Sequence, residues 1–145
     1  MSGNIFITGA TGFIGQHLLE AGYYQTHEIK ILSRRPHSEY ETLICDLQSE
    51  QIPDDALTGI DTVFHLAGFA HDLRDATEIE HFYRAVNVNA TARLADLAVK
   101  SGVKQFVFVS SVKAGGSALP GKCMTEPDQD DPRGVYGQTK REAEL

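Results

Sequence analysis

Between Thr8 and Gly15 the sequence TGATGFIG sets three glycines at intervals of three residues, after the apolar run Ile5-Phe6-Ile7 and before a helix-forming stretch from Phe13 to Ala21. Strand, glycine turn and helix follow one another, and each glycine has a distinct physical task. Gly9 lets the chain reverse tightly, Gly12 removes the side chain that would hold a pyrophosphate off the backbone, and Gly15 allows the helix to press against the strand. The N–H groups of the first helical turn have no partner within the helix and point outward with the positive end of its dipole. The cofactor-binding residues expected in this turn are Gly9, Thr11, Gly12, Phe13, Ile14 and Gly15. A glycine trio alone is a weak signal; its weight here comes from standing at the first strand-to-helix junction of an alternating α/β pattern.

That pattern continues along the chain. Short apolar runs predict strands at Ile5–Thr8, Ile29–Ser33, Thr42–Asp46, Thr62–Leu66 and Phe106–Ser110, as a sheet covered on both faces requires. Between the last two, Ile79, Phe82, Tyr83, Val86, Ala90, Leu94, Leu97 and Ala98 recur at helical spacing and predict one helix over Thr77–Lys100, ended by Gly102. Strands alternating with helices give an α/β fold, a doubly wound parallel sheet, with its ligand crevice at the carboxyl ends of the strands. From Lys113 to Val135 glycine, proline and acidic residues predict a long functional loop without regular structure. A helix follows from Tyr136 to Leu145 with no stop signal, so residues 1–145 read as one dinucleotide-binding domain of a longer protein, cut inside that helix before the last strands and the substrate-binding region.

Composition removes several function classes. The 145 residues, 41% of them hydrophobic, suffice for one domain with a core. A net charge of −7 without a basic stripe argues against nucleic acid as a partner. The chain opens with neither a leader nor a long apolar run, so no membrane is implied and a reducing, cytoplasmic setting is expected. Cys45 and Cys123 lack metal-ligand spacing, as do His65, His71 and His81, and no metal is expected.

Tyr136 and Lys140 stand four residues apart, on one face of a helix. A phenol with a pKa of about 10 is a poor base near neutrality, but an adjacent ammonium favours its phenolate. Ser111 follows the fifth strand at the same sheet edge as the glycine turn, where its hydroxyl can donate to a substrate oxygen while Tyr136 exchanges the proton. Ser110 is the neighbouring candidate, with a strand-end role bonded to backbone.

Together, TGATGFIG, His65-Leu66-Ala67-Gly68, Asn87 in NVNAT, Val109-Ser110-Ser111 and Tyr136-Gly-Gln-Thr-Lys140 resemble the extended short-chain dehydrogenase/reductases, the group that includes nucleotide-sugar epimerases and dehydratases. The likeness runs over essentially the whole chain, in motif order as well as content. It implies a Rossmann fold, a catalytic set of Ser111, Tyr136 and Lys140, and a nicotinamide dinucleotide whose ribose Lys140 holds. It also places Asp46 at the adenine amino group with Leu47 beside it, the backbone of Leu66, Ala67 and Gly68 along the cofactor, and Asn87 close by. The second strand ends Ser33-Arg34-Arg35 where an acid would bind the adenosine ribose, and arginine suits a 2′-phosphate, so NADP is favoured and NAD is the alternative.

The dehydratases of this group carry Asp-Glu directly after the active-site hydroxyl, and here Val112-Lys113 stands instead. Dehydration is therefore disfavoured. The expected activity is epimerisation or reduction of a nucleotide sugar, by hydride transfer at a carbinol or ketone carbon, in a protein that is a homodimer at full length. Lys113 and the glycines after it are expected to face the substrate. A reductase of a non-sugar ketone, steroid-like or flavonoid-like, is the second reading, and a non-catalytic dinucleotide-sensing regulator the third. The intact Ser111, Tyr136 and Lys140 count against the regulator.

Overall fold

The structure, a computed structural model, describes residues 3–22, 26–70, 76–117, 120–128 and 130–145. Among these, five parallel strands form one sheet: β1 (Asn4–Thr8), β2 (Glu28–Ser33), β3 (Glu41–Ile44), β4 (Thr62–His65) and β5 (Gln105–Phe108), in the order β3-β2-β1-β4-β5. The chain steps outward from β1 to β3 and returns to lay β4 on the other side of β1. Strand direction therefore leaves a crevice between the carboxyl ends of β1 and β4, where doubly wound sheets bind ligands. Registry sets Thr8 opposite both Leu32 and His65 at that edge.

Alternation along the strands supplies both faces with apolar side chains. Ile5, Ile7 and Ile31 face helix α1 (Phe13–Glu20), packing with Leu18 and Leu19. Phe6, Leu32 and Val63 face the opposite way, onto Leu94, Leu97 and Ala98 of helix α3 (Ala90–Ser101) and onto Ile52 and Leu57. Each fully buried side chain of this size contributes about 1.5–3 kcal/mol relative to exposure, which is why β1, covered on both sides, is nearly all apolar. Gly102, at φ 71°, closes α3: its N–H donates to Val99 O at 3.2 Å and Val103 N–H to Ala98 O at 2.9 Å, the pairing of a left-handed glycine cap.

The expected helix over Thr77–Lys100 is not one regular element. Helix α2 (Ala76–Tyr83) passes into a wider π turn at Arg84–Asn89 before α3 resumes α geometry. The apolar spacing could not reveal this, because a single widened turn leaves Val86, Ala90 and Leu94 on the buried side and turns Asn87 and Thr91 inward with them. The strands also stop short of their apolar runs. β3 ends at Ile44 and β5 at Phe108, so Asp46, Ser110 and Ser111 stand beyond the sheet. The segment expected to lack structure holds a 3₁₀ turn over Val112–Gly115, and helix α4 begins at Gly134. Residue His71 lies outside the described residues.

Candidate active site

Gly9 sits at φ 72°, the left-handed region, against the strand opposite: a Cβ there would lie 2.6 Å from Ala67 N and 2.7 Å from Leu66 C. Only glycine fits so near a neighbouring backbone. Gly15 is closed from the other side, where a Cβ would run into Gly9 O. Gly12 differs. Its N–H donates to Gly9 O at 3.0 Å and it caps α1 with extended backbone, yet a Cβ would meet only Gly9 O, at 3.3 Å, and otherwise project away from the protein. That leaves an opening in front of the first turn of α1, whose N–H groups no side-chain cap engages.

The turn opens into a groove of about 390 Å³ lined by Gly9, Thr11, Gly12, Ser33, Arg34, Asp46, Leu47, Leu66, Ala67 and Gly68, all among the positions expected from sequence, and also by Leu32, Cys45, Gln48, Phe69 and Val86. Arg34 and Arg35 are exposed and border, with Thr11, Ser33 and Pro36, a second hollow at the end of β2. Asp46 Oδ1 accepts from Gln48 N at 3.0 Å, which turns the chain after β3 along the groove wall. Phe13 and Ile14 are exposed at the helix start. Asn87 stands behind the groove wall, against Gly68 and Phe69. Its amide is wholly engaged by the protein, Oδ1 accepting from Phe69 N at 2.8 Å and Nδ2 donating to Phe69 O and Thr139 Oγ1, both at 3.1 Å.

Helix α4 (Gly134–Glu144) carries Tyr136 and Lys140 to the same sheet edge. It docks through Gly137, where a Cβ would stand 2.7 Å from Lys113 O, so the 3₁₀ turn after β5 and the helix are in backbone contact. Lys140 is buried. Its Nζ donates to Val109 O at 2.8 Å and stands 4.1 Å from the centroid of the Phe108 ring, and burial holds its pKa down to about 8, with Glu144 opposing the shift. The Tyr136 ring is edge-on to Tyr83, 6.5 Å between centroids, and Tyr83 in turn abuts Phe69 in the groove wall. Ser111 Oγ accepts from Lys113 N at 3.2 Å, capping the turn and leaving its own hydrogen to donate elsewhere. Ser110 is not bonded to backbone as expected: its buried Oγ has no hydrogen-bond partner among the described residues.

Four polar side chains beneath this site were not anticipated as a set. Thr8, His65, Thr91 and Thr139 are all buried, and each bonds a neighbour from a different element. They are far apart in sequence, and only the fold brings them together. His65 is held neutral, its pKa driven to about 4 by burial, with the Lys140 charge adding to the effect. Among the described residues no cluster of His, Cys, Asp and Glu could hold a metal, and no helix is long and apolar enough to cross a membrane.

Comparison with known proteins agrees with this geometry. The model of the NAD dependent epimerase/dehydratase family matches residues 5–145. The chain is 36% identical over 149 residues to the N-acetyl-alpha-D-glucosaminyl-diphospho-ditrans,octacis-undecaprenol 4-epimerase of Escherichia coli O157:H7, covering 99% of this chain and 42% of that protein. It is 31% identical over 152 residues to a 3 beta-hydroxysteroid dehydrogenase/Delta 5-->4-isomerase of Mycobacterium tuberculosis, covering 98% and 41%. Among solved structures, MoeE5 in complex with UDP-glucose and NAD superposes with a TM-score of 0.82 at 35% identity, over 98% of this chain and 47% of that one. The chain thus spans less than half the length of these relatives. With a parallel sheet in the order 3-2-1-4-5, a glycine turn at its crevice and a family match over nearly its whole length, the chain belongs to the NAD-dependent epimerase/dehydratase family, the extended short-chain dehydrogenase/reductases.

Proposed function

We propose that this chain is the cofactor-binding part of a nicotinamide-dependent epimerase or reductase of a nucleotide sugar, acting by hydride transfer at a carbinol or ketone carbon. The observation that supports the reading is that α4, docked through Gly137 on the turn that Ser111 caps, carries Tyr136 and a buried Lys140 to the sheet edge where the glycine turn opens its groove. The nicotinamide supplies the hydride acceptor or donor when bound. Gly9, Gly12 and the first turn of α1 hold its pyrophosphate, and Asp46 and Leu47 flank its adenine. Ser111 donates its free hydrogen to the substrate oxygen. Tyr136 takes the proton from that oxygen when the carbon is oxidised and returns it when the carbon is reduced. Lys140 also binds the nicotinamide ribose.

Val112-Lys113 after Ser111 offers no acid–base pair for loss of water, which favours epimerisation or simple reduction over dehydration. The nucleotide-sugar reading draws support from the epimerase relative and from the UDP-glucose in MoeE5. The steroid dehydrogenase relative supports a non-sugar ketone as the second reading. The test is to incubate the full-length protein, beside residues 1–145 alone, with NAD or NADP and a panel of nucleotide sugars and hydroxysteroids, following reduced nicotinamide and the stereochemistry of the product; residues 1–145 alone should turn nothing over. Conversion of a nucleotide sugar, with Tyr136→Phe at least about 100-fold slower at unchanged cofactor affinity, is expected. Conversion of steroids alone establishes the second reading, and full activity in Tyr136→Phe overturns both.

A further inference from the structure

The buried polar groups beneath the groove connect end to end. Ala67 N–H donates to Thr8 Oγ1 at 3.2 Å, and Thr8 Oγ1 meets His65 Nδ1 at 2.6 Å. On the other side of the ring, His65 Nε2 meets Thr91 Oγ1 at 2.8 Å, and Thr91 Oγ1 donates to Asn87 O at 2.8 Å. From Asn87, Nδ2 donates to Thr139 Oγ1 at 3.1 Å, and Thr139 Oγ1 has Val135 O at 2.8 Å and Tyr136 O at 3.1 Å as acceptors on α4. One end is the residue before Gly9, in the strand that leads into the cofactor turn. The other lies on α4 between Tyr136 and Lys140.

Proton counting gives this chain a single direction. A threonine hydroxyl has one hydrogen, and Thr91 spends its own on Asn87 O, so toward His65 it can only accept, and Nε2 must carry the proton. A neutral imidazole then has a bare Nδ1, which accepts the hydrogen of Thr8 while the Thr8 oxygen accepts from Ala67 N–H. Every member gives what it has and takes what it needs. A second proton on His65 would confront the Thr8 hydrogen with another donor. The Phe108 ring stacks on His65, 5.6 Å between centroids and 22° apart, and the Lys140 ammonium lies over the same ring, so a second positive charge on the imidazole would face a like charge nearby. Fully satisfied buried networks of this kind hold elements in one arrangement, because any displacement strands a polar group in a low-dielectric interior.

We propose that Thr8, His65, Thr91, Asn87 and Thr139 form one positioning relay that fixes the cofactor turn and the Tyr136–Lys140 helix relative to one another, with His65 as its neutral, Nε2-protonated centre. None of the five needs to touch substrate. The proposal rests on the reading of the glycine turn as a dinucleotide site only for its functional consequence, since the relay itself is a property of the unliganded protein.

The test uses side-chain 15N NMR of the histidines together with NAD titration, on the wild type, Thr139→Val and Thr139→Ser. The wild type should show His65 as a neutral imidazole protonated at Nε2. Thr139→Val, which removes the hydroxyl at the far end, should shift the His65 ring nitrogens and weaken NAD binding by about three-fold or more, and Thr139→Ser should restore both. Groups that share no partner and lie apart normally act independently, so such an effect is diagnostic of coupling. An Nδ1-protonated or cationic His65 in the wild type overturns the relay without any variant having to fold. An unchanged His65 signature in folded Thr139→Val overturns it too. Absence of NAD and NADP binding in the wild type would instead remove the dinucleotide reading, leaving the His65 signature to decide the relay on its own.

Discussion

At the residue scale, local chemistry separates positions that look equivalent in sequence. The three glycines of the turn are one motif, yet Gly9 and Gly15 are closed by the protein's own backbone and Gly12 is open toward the groove, so only the last is free to answer to a ligand. The two arginines after β2 also differ: Arg34 lines both the groove at the glycine turn and the neighbouring hollow, and Arg35 lines the hollow alone. We propose that Arg34 reads a 2′-phosphate. A hydrogen bond to a charged group is worth about 1.5–3 kcal/mol, so Arg34→Ala should weaken NADP about ten-fold or more and leave NAD nearly unchanged. Equal loss for the two cofactors, or no loss for either, would show that Arg34 does not select between them. The relative MoeE5 holds NAD, which makes the side-by-side titration the informative form of the experiment.

Docking at the scale of elements depends on how closely α4 approaches the turn that follows β5. Gly137 is the contact, and a methyl group there would press on Lys113 O, a carbonyl in a turn tied down by Ser111 Oγ and unable to yield cheaply. Alanine is favoured over glycine by up to about 1 kcal/mol in a helix interior, but an overpacked contact against backbone costs about 1–3 kcal/mol, so the clash decides the sign. Gly137→Ala should therefore lower the unfolding free energy, while Gln138→Ala on the exposed side of α4 should stay within about 0.5 kcal/mol in the same urea titration. Stabilisation by Gly137→Ala would mean that helix and turn are not in contact. Much of this level was legible in the sequence, because apolar runs and a glycine cap report burial locally: β1, β2 and the close of α3 follow from them. Strand ends were less so, since side-chain burial continues past the last backbone pairing at Ile44 and Phe108. The π turn left no mark at all, for it shifts backbone geometry without breaking the apolar stripe. Ser111, Tyr136 and Lys140 were readable from their places on the elements, whereas His65, Thr91 and Thr139 acquire partners only through the fold.

For the whole molecule, the same buried imidazole sets how stability responds to acid. His65 binds its proton at about pH 4 when folded and near pH 6.5 when unfolded, so between those values the unfolded chain holds more protons and the folded state loses ground as pH falls. Above about pH 6.5 the imidazole is neutral in both states and contributes no slope. The accumulated loss by pH 4 is about 3 kcal/mol, a large share of a typical domain's stability. Urea unfolding across this range should show the decline, and His65→Gln, which cannot titrate, should flatten it; an equally steep profile in that variant would place the effect elsewhere. Whether this sheet presents its crevice to a dinucleotide is decided by calorimetric titration of NAD and NADP into the wild type and Gly12→Val. Valine at this extended position needs a shift of a few tenths of an ångström from Gly9 O and fills the space above the first turn of α1, so the wild type should bind cofactor and a folded Gly12→Val should not. Equal affinity in the two folded proteins would contradict it.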